Sequence, residues 1–254
     1  MMNQHHSGFF SSMPVVANLI IINVICWVAS IVFQRIDVDL FQLLALHYPA
    51  SKDFNLVQIA SYMFLHDTHS ISHLFFNMFG VYMFGRVLEN VWGSRRFLIY
   101  YFATGVGAAI VNLLVAYLRI RWAEASMAPG DIEIVYQQGL DALNNGMNFT
   151  NPAMASLNIL INGATVGASG AVFGILLAFG ILFPNAPLYL MFIPIPIKAK
   201  YFVMGYGLLE LVFGFASLTG DNVAHFAHLG GMIFGYLLIV YWKRKKFNNG
   251  QYLD

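Results

Sequence analysis

Residues 165–183 read TVGASGAVFGILLAFGILF, and the apolar run that they open carries no charge until Lys198. Glycine, alanine and serine crowd its first ten positions, where small side chains let membrane helices approach closely. A serine in that setting has a bland reading, helix packing, and the rest of the chain has to decide against it or for it. The surroundings are membrane-like throughout: 59% of the 254 residues are hydrophobic and 10% are charged, against roughly 25% charged in a soluble domain.

Working outward, Val15–Phe33 contains only Asn18 and Asn23 as polar amides and no charge, long enough to cross a hydrocarbon layer of about 30 Å. Its leader has no basic residue and no small-x-small cleavage site, so it reads as a retained span and not a signal peptide. Further spans are predicted at Ile71–Val91, Phe97–Leu118, Val166–Phe183, Tyr201–Leu218 and Val223–Trp242. The fold class is therefore all-α, a polytopic bundle of six transmembrane helices over 15–242. A short segment 1–14 precedes it and a basic tail 243–254 follows. Basic residues collect on the cytoplasmic side. With both termini inside, Arg86, Arg95, Arg96, Lys198, Lys200, Lys243, Arg244, Lys245 and Lys246 lie there, nine of the 13. That places the chain in a cell membrane with both ends cytoplasmic, and a compact six-span layout suggests the bacterial inner membrane. The YWKRKK tail can meet anionic lipid but reads first as a stop-transfer anchor. Cys26, the one cysteine, excludes disulfides.

Two connections are long. Residues 34–70 mix Phe, Leu and Tyr with few charges and are expected to lie in the interface. In 119–163, Ile132, Val135, Tyr136, Leu140 and Leu143 share a helical face, with Asp131 as the start cap and Gly146 as the end. This outer helix is expected to pack against the bundle.

Strongly polar groups at membrane depth are costly and are functional candidates by default. His73 and Asn77 are one turn apart at the start of the second span, Ser169 opens the fourth, and His225 and His228 stand three apart at the start of the sixth. These three spans run in the same direction, so the clusters lie at similar depth. Gly170 and Gly174 on the fourth span, and Gly231 and Gly235 on the sixth, allow close backbone approach. If those faces meet, His228 comes within reach of Ser169, and a hydroxyl needs an adjacent base at about 2.6–3.2 Å to act as a nucleophile. The lone acid of the fifth span, Glu210, is read as a structural hydrogen bond to a neighbouring span, since no basic residue sits on a matching helix. Fifth-span Phe202, Tyr206, Phe213 and Phe215 read as packing and lipid-facing groups.

GASG (167–170), HLFFN (73–77) and AHLGGMIFG (227–235) in this order resemble the signature of the rhomboid intramembrane serine proteases, as do LENVWGSRRF (88–97) and FPNAPLYLMFIPIPIKAKY (183–201). The resemblance covers the whole six-span core. It implies a hydrolase, a serine endopeptidase that cleaves single-span membrane proteins near the outer face. Ser169 would be the nucleophile and His228 the general base, a dyad without a carboxylate. Asn77, His73 and the Ser169 backbone N–H would stabilise the oxyanion. Gly167 would keep the space beside the nucleophile clear, and Gly170 and Gly231 would hold the helices close. Phe173 stands where relatives often have tyrosine; its ring can stack on the imidazole but cannot hydrogen-bond. The pattern gives His225 no chemical role, makes His66 structural and leaves His69 in solvated loop. Seven residues separate His66 from His73 where the family more often has five, and Val57-Gln58 replaces a Trp-Arg pair found in some relatives. By the same resemblance the fifth span acts as a gate. No cofactor, metal or nucleic acid is implied; the partners are membrane lipid and the substrate.

Two other classes compete. Histidines 66, 69, 73, 225 and 228 could line a metal transporter or a metalloprotease, but no H-E-x-x-H is present, Cys26 is remote and neither histidine pair has a carboxylate one turn away on its own helix. A catalytically inactive relative that binds membrane proteins would be marked by loss of the serine or the histidine, and both are present.

Overall fold

The computed structural model describes residues 13–190, 193–216 and 225–248. Helix α1 (Pro14–Gln34) begins with proline at a position where a missing N–H costs nothing. A connection with two short helices, α2 (Leu40–Leu44) and α3 (Gln58–Ser61), and a 3-10 turn at Tyr62–Phe64 leads to α4 (Ile71–Gly80). A π turn at Val81–Gly85 joins α4 to α5 (Arg86–Trp92), so the second span is one helical column with a bulge and not a regular helix.

Helix α6 (Ser94–Ala125) has 32 residues, roughly 48 Å at 1.5 Å per residue, and overshoots a hydrocarbon layer of about 30 Å. The overshoot carries a helical hairpin, α7 (Pro129–Asn144) and α8 (Pro152–Asn162). Then come α9 (Ser169–Leu182), an antiparallel ribbon of β1 (Pro187–Leu190) and β2 (Ile193–Lys198), α10 (Ala199–Ala216) and α11 (His225–Asn248). Helix α11 continues past Trp242 into the first residues of the basic tail. Among the described residues α1, α6 and α11 are long and apolar enough to cross a membrane, and α9 is a shorter apolar helix. The molecule is a helical membrane bundle.

The quoted stretch is its centre. Helix α9 is apolar on all sides, as a core helix should be, and packs against α6, α10, α11 and the π turn. Gly231 of α11 lies so near the Gly170 carbonyl that a Cβ there would overlap it. Gly174 and Gly235 do not pair in the same way. Both face α6, and the Tyr100 hydroxyl passes between the two helices to donate to the Gly174 carbonyl at 2.8 Å. Only the Ser169 end of the two glycine faces is therefore a direct helix-to-helix contact.

The segment LENVWGS is a joint. The buried Glu89 carboxylate accepts from the Val15 and Val16 backbone N–H groups at 3.0 and 2.9 Å and from the Ser94 hydroxyl at 2.6 Å. An acid thus caps the positive end of α1, while Gly93, at φ +77, makes the turn into α6.

Several local expectations change. The fourth helix starts at Ser169 and not at Val166, because Gly167 sits at φ +119, where no helix can pass. Asp131 does not cap α7; the cap position is Ala128, with Pro129 opening the helix, and Asp131 lies in the first turn. The face α7 turns inward centres on Val135 and Gly139, with Tyr136 on its rim donating to Glu124 at 2.8 Å. Gln58 is fully buried and is a pin: its amide donates to the Asp53 carbonyl at 2.7 Å and its oxygen accepts from the His47 N–H. The ends expected at Leu218 and Val223 lie outside the described residues.

Candidate active site

The strand-like segment before α9 is what aims Ser169. Leu46 and Thr165 exchange both backbone hydrogen bonds at 2.9 Å, and the Gly167 N–H donates to the Tyr62 carbonyl at 3.0 Å. Tyr62 is itself anchored through its hydroxyl to the Gly105 carbonyl on α6 at 2.8 Å. The first connection therefore holds the chain up to the residue where the helix begins. Ser169 is the first residue of α9, so its backbone N–H belongs to the turn whose donors have no partner within the helix and sits at the positive end of the helix dipole.

Ser169 Oγ lies 2.8 Å from His228 Nε2. The two come together because α9 and α11 touch at Gly170, next to Ser169, and at Gly231, about one turn beyond His228. Phe173, one turn along α9, stacks flat on the His228 ring, with centroids 4.2 Å apart and planes 5° from parallel. The Phe173 ring, which has no hydroxyl, supports the imidazole by stacking only.

His73 stands across Gly167. A Cβ on Gly167 would come 2.8 Å from His73 Nε2 and 3.8 Å from Ser169 Oγ, so glycine's missing side chain is the space between them. His73 Nδ1 accepts from the Asp67 backbone N–H at 3.4 Å, which leaves the ring proton on Nε2, toward that space. Asn77 donates from Nδ2 to the His73 carbonyl at 2.8 Å, using one of its two amide protons. His66 is fully buried, edge-on to His73 at 5.1 Å. Burial and the neighbouring imidazole push it down to about 3. It is neutral packing behind His73, and His69 is exposed.

The site has a carboxylate that the sequence reading left out. Glu210, on α10, accepts through Oε2 from His228 Nδ1 at 2.9 Å and from His225 Nδ1 at 2.6 Å. It bonds to a neighbouring span as expected, but its partners are basic residues of that span, His228 and His225, and the latter thereby gains a role that the resemblance does not give it. The pairing runs between helices and across the connection from α10 to α11. Spacing within one helix gives no sign of it; a lone acid at membrane depth is the signal that was there to follow.

Glu210, His225 and His228 are also, among the described residues, the set able to offer three ligand atoms to a cation, within 4.8 Å of one another. Two ligands of one tetrahedral zinc, each at about 2.0–2.1 Å, stand about 3.3 Å apart. The nitrogen–oxygen distances of 2.6 and 2.9 Å are hydrogen-bond lengths.

A cavity of about 920 Å³ opens from Ser169, His228, His225 and His73. Its far side is formed by Asn112 and Arg119 of α6 with Leu143, Ile159 and Leu160 of the α7–α8 hairpin. The hairpin thus both packs on α6 and walls the cavity. Chemically, the arrangement offers a hydroxyl beside an imidazole nitrogen, a helix N-terminus, an imidazole N–H across a gap, and room for an extended chain.

The chain is similar to RHOMBOID-like protein 12, mitochondrial, of Arabidopsis thaliana, with 28% identity over 163 residues that make up 63% of this chain and 39% of that protein. It spans well under half the length of that relative. Residues 53–245, which hold every side chain of the site described above, match the Rhomboid domain; the chain belongs to the rhomboid family.

Proposed function

We propose that the chain is an intramembrane serine endopeptidase in which Ser169 is the nucleophile and His228 the general base. The observation that carries this reading is the 2.8 Å contact between Ser169 Oγ and His228 Nε2, within the hydrogen-bond reach that activation of a hydroxyl requires. Ser169 Oγ attacks the peptide carbonyl and its proton passes to His228 Nε2, which then gives it to the leaving amine. The developing oxyanion takes hydrogen bonds from the Ser169 backbone N–H, His73 Nε2–H and the second amide proton of Asn77. Each such donor is worth about 10²–10³ in turnover. Water entering through the cavity deacylates the serine.

The substrate class follows from the setting. An intact helix hides its carbonyls in its own hydrogen bonds, so a single-span protein has to unwind near small or helix-breaking residues before its backbone can enter. The cavity lies at the end of α9 and α11 that, with both chain ends cytoplasmic, faces away from the cytoplasm. No cofactor enters these steps.

The test is co-reconstitution in liposomes with a single-span reporter whose helix carries glycine and proline near the surface. The wild type cleaves it and Ser169→Ala and His228→Ala do not. Equal cleavage by wild type and Ser169→Ala would overturn the reading.

A further inference from the structure

We infer that Glu210 completes a serine–histidine–glutamate triad, with His225 as the residue that holds its carboxylate in place. The inference rests on the reading of Ser169 and His228 given above and adds two positioning residues, Glu210 from a third helix and His225 from the helix of the base.

The geometry runs from α10 inward. The buried residues of α10 are Ala199, Val203, Glu210 and Gly214, spaced to form one stripe, and Glu210 is the polar member of that stripe. An ionised carboxylate only accepts hydrogen bonds, so the bond from His228 at 2.9 Å puts the imidazole proton on Nδ1. Nε2 is then the lone-pair nitrogen, and it is the atom that faces Ser169 Oγ. Without an acceptor at Nδ1 the ring could hold its proton on the wrong nitrogen. When the Ser169 proton moves to Nε2, the Nδ1 proton stays where it is and the new positive charge lies beside Glu210. His225 bonds the same Oε2 at 2.6 Å and fixes the carboxylate's rotamer.

The arrangement also links the base to the seat of α10. Ser169 and His228 lie on α9 and α11, whose backbones touch at Gly170 and Gly231. Glu210 lies on a helix that meets α11 through side chains, Gly214 against Phe226 and Gly207 against Met232. A shift of α10 therefore lengthens the bond at Nδ1 while leaving the bond at Nε2 in place.

The readout is the rate at which a fluorophosphonate probe labels Ser169 in the full-length protein in bilayers, measured from about pH 5 to pH 9, the range in which imidazole titrates. The titratable groups around His228 are Glu210 on α10, which bonds it, His225 on its own helix and His73 on α4, with Tyr206 of α10 beside Glu210. A neighbouring carboxylate favours the protonated imidazole, so removing it moves the acid limb of the profile to lower pH.

Glu210→Gln is expected to label about 10²–10⁴-fold more slowly, with its acid limb moved to lower pH. Glu210→Asp should recover part of the rate and return the limb toward its wild-type position. His225→Gln should slow labelling about tenfold with a smaller shift.

Labelling of Glu210→Gln at the wild-type rate with an unmoved limb would overturn the inference. So would a slower rate with an unmoved limb and a lower unfolding temperature, which marks a packing role. Stoichiometric zinc in the wild type, lost in Glu210→Gln, would replace the triad with a metal site. A wild type that labels no better than Ser169→Ala would instead remove the reading of Ser169 itself, and this inference with it.

Discussion

Helices α9 and α10 are both apolar and lie side by side, yet they are held in opposite ways. Helix α9 is enclosed, with Gly170, Ala171, Gly174, Ile175 and Ala178 buried, a backbone contact to α11 at Gly231 and a tyrosine hydroxyl bonded to its Gly174 carbonyl. Helix α10 buries one stripe and exposes Tyr201, Met204, Leu208, Val212 and Phe215, each by more than half of its surface. The nucleophile and base belong to the enclosed pair and the carboxylate to the exposed helix. The difference teaches where rigidity is spent: the distance between Ser169 and His228 is fixed by backbone, whereas the bond that orients His228 depends on a helix with a smaller hold.

The comparison can be broken most severely at its rigid side. Gly231→Ala puts a methyl group into the Gly170 carbonyl and forces α9 and α11 apart, with backbone and not a flexible side chain in the way. The expected result is a loss of stability of about 2–4 kcal/mol and labelling of Ser169 reduced more than about 100-fold, read by thermal unfolding and by the fluorophosphonate rate.

A smaller effect is expected at Gly167. Alanine there is strained at φ +119 and crowds His73 Nε2, costing about 1–3 kcal/mol. The gap between His73 and Ser169 narrows, so labelling should fall about 10- to 100-fold. A variant as active as wild type would mean that His73 does not serve that gap.

The peripheral side should be almost indifferent. Nothing lies within 4 Å of the point a Cβ would occupy on Gly205, an exposed residue of α10. Gly205→Ala is expected to raise stability by about 0.5–1 kcal/mol through helix propensity and to leave labelling unchanged. A marked loss of labelling would show α10 to be as tightly constrained as α9 and would erase the contrast.

Much of this was legible in the chain because it is local. The apolar runs, the serine among glycines, the His73–Asn77 turn and the His225–His228 pair each lie on one helix, and their common depth follows from the direction of the spans. What escaped depends on how separate helices are turned. Glu210 meets histidines 15 and 18 residues away, on another helix, and no periodicity within α10 points there. The start of α9 is hidden in the sequence because Gly167 looks like one more small residue, and only its positive φ ends the segment before the helix. In the sequence Gln58 is only part of a departure from a Trp-Arg pair of some relatives; its role as a pin depends on the fold of the first connection, where His47 and Asp53 converge on it.

The most direct test of the central claim needs no substrate: label the purified protein with a fluorophosphonate in bilayers and map the adduct by mass spectrometry. The account predicts one phosphonylated residue, Ser169, within TVGASGAVFG, and no adduct in His228→Ala. An adduct on another serine, or a Ser169 adduct that forms equally well without His228, would contradict it.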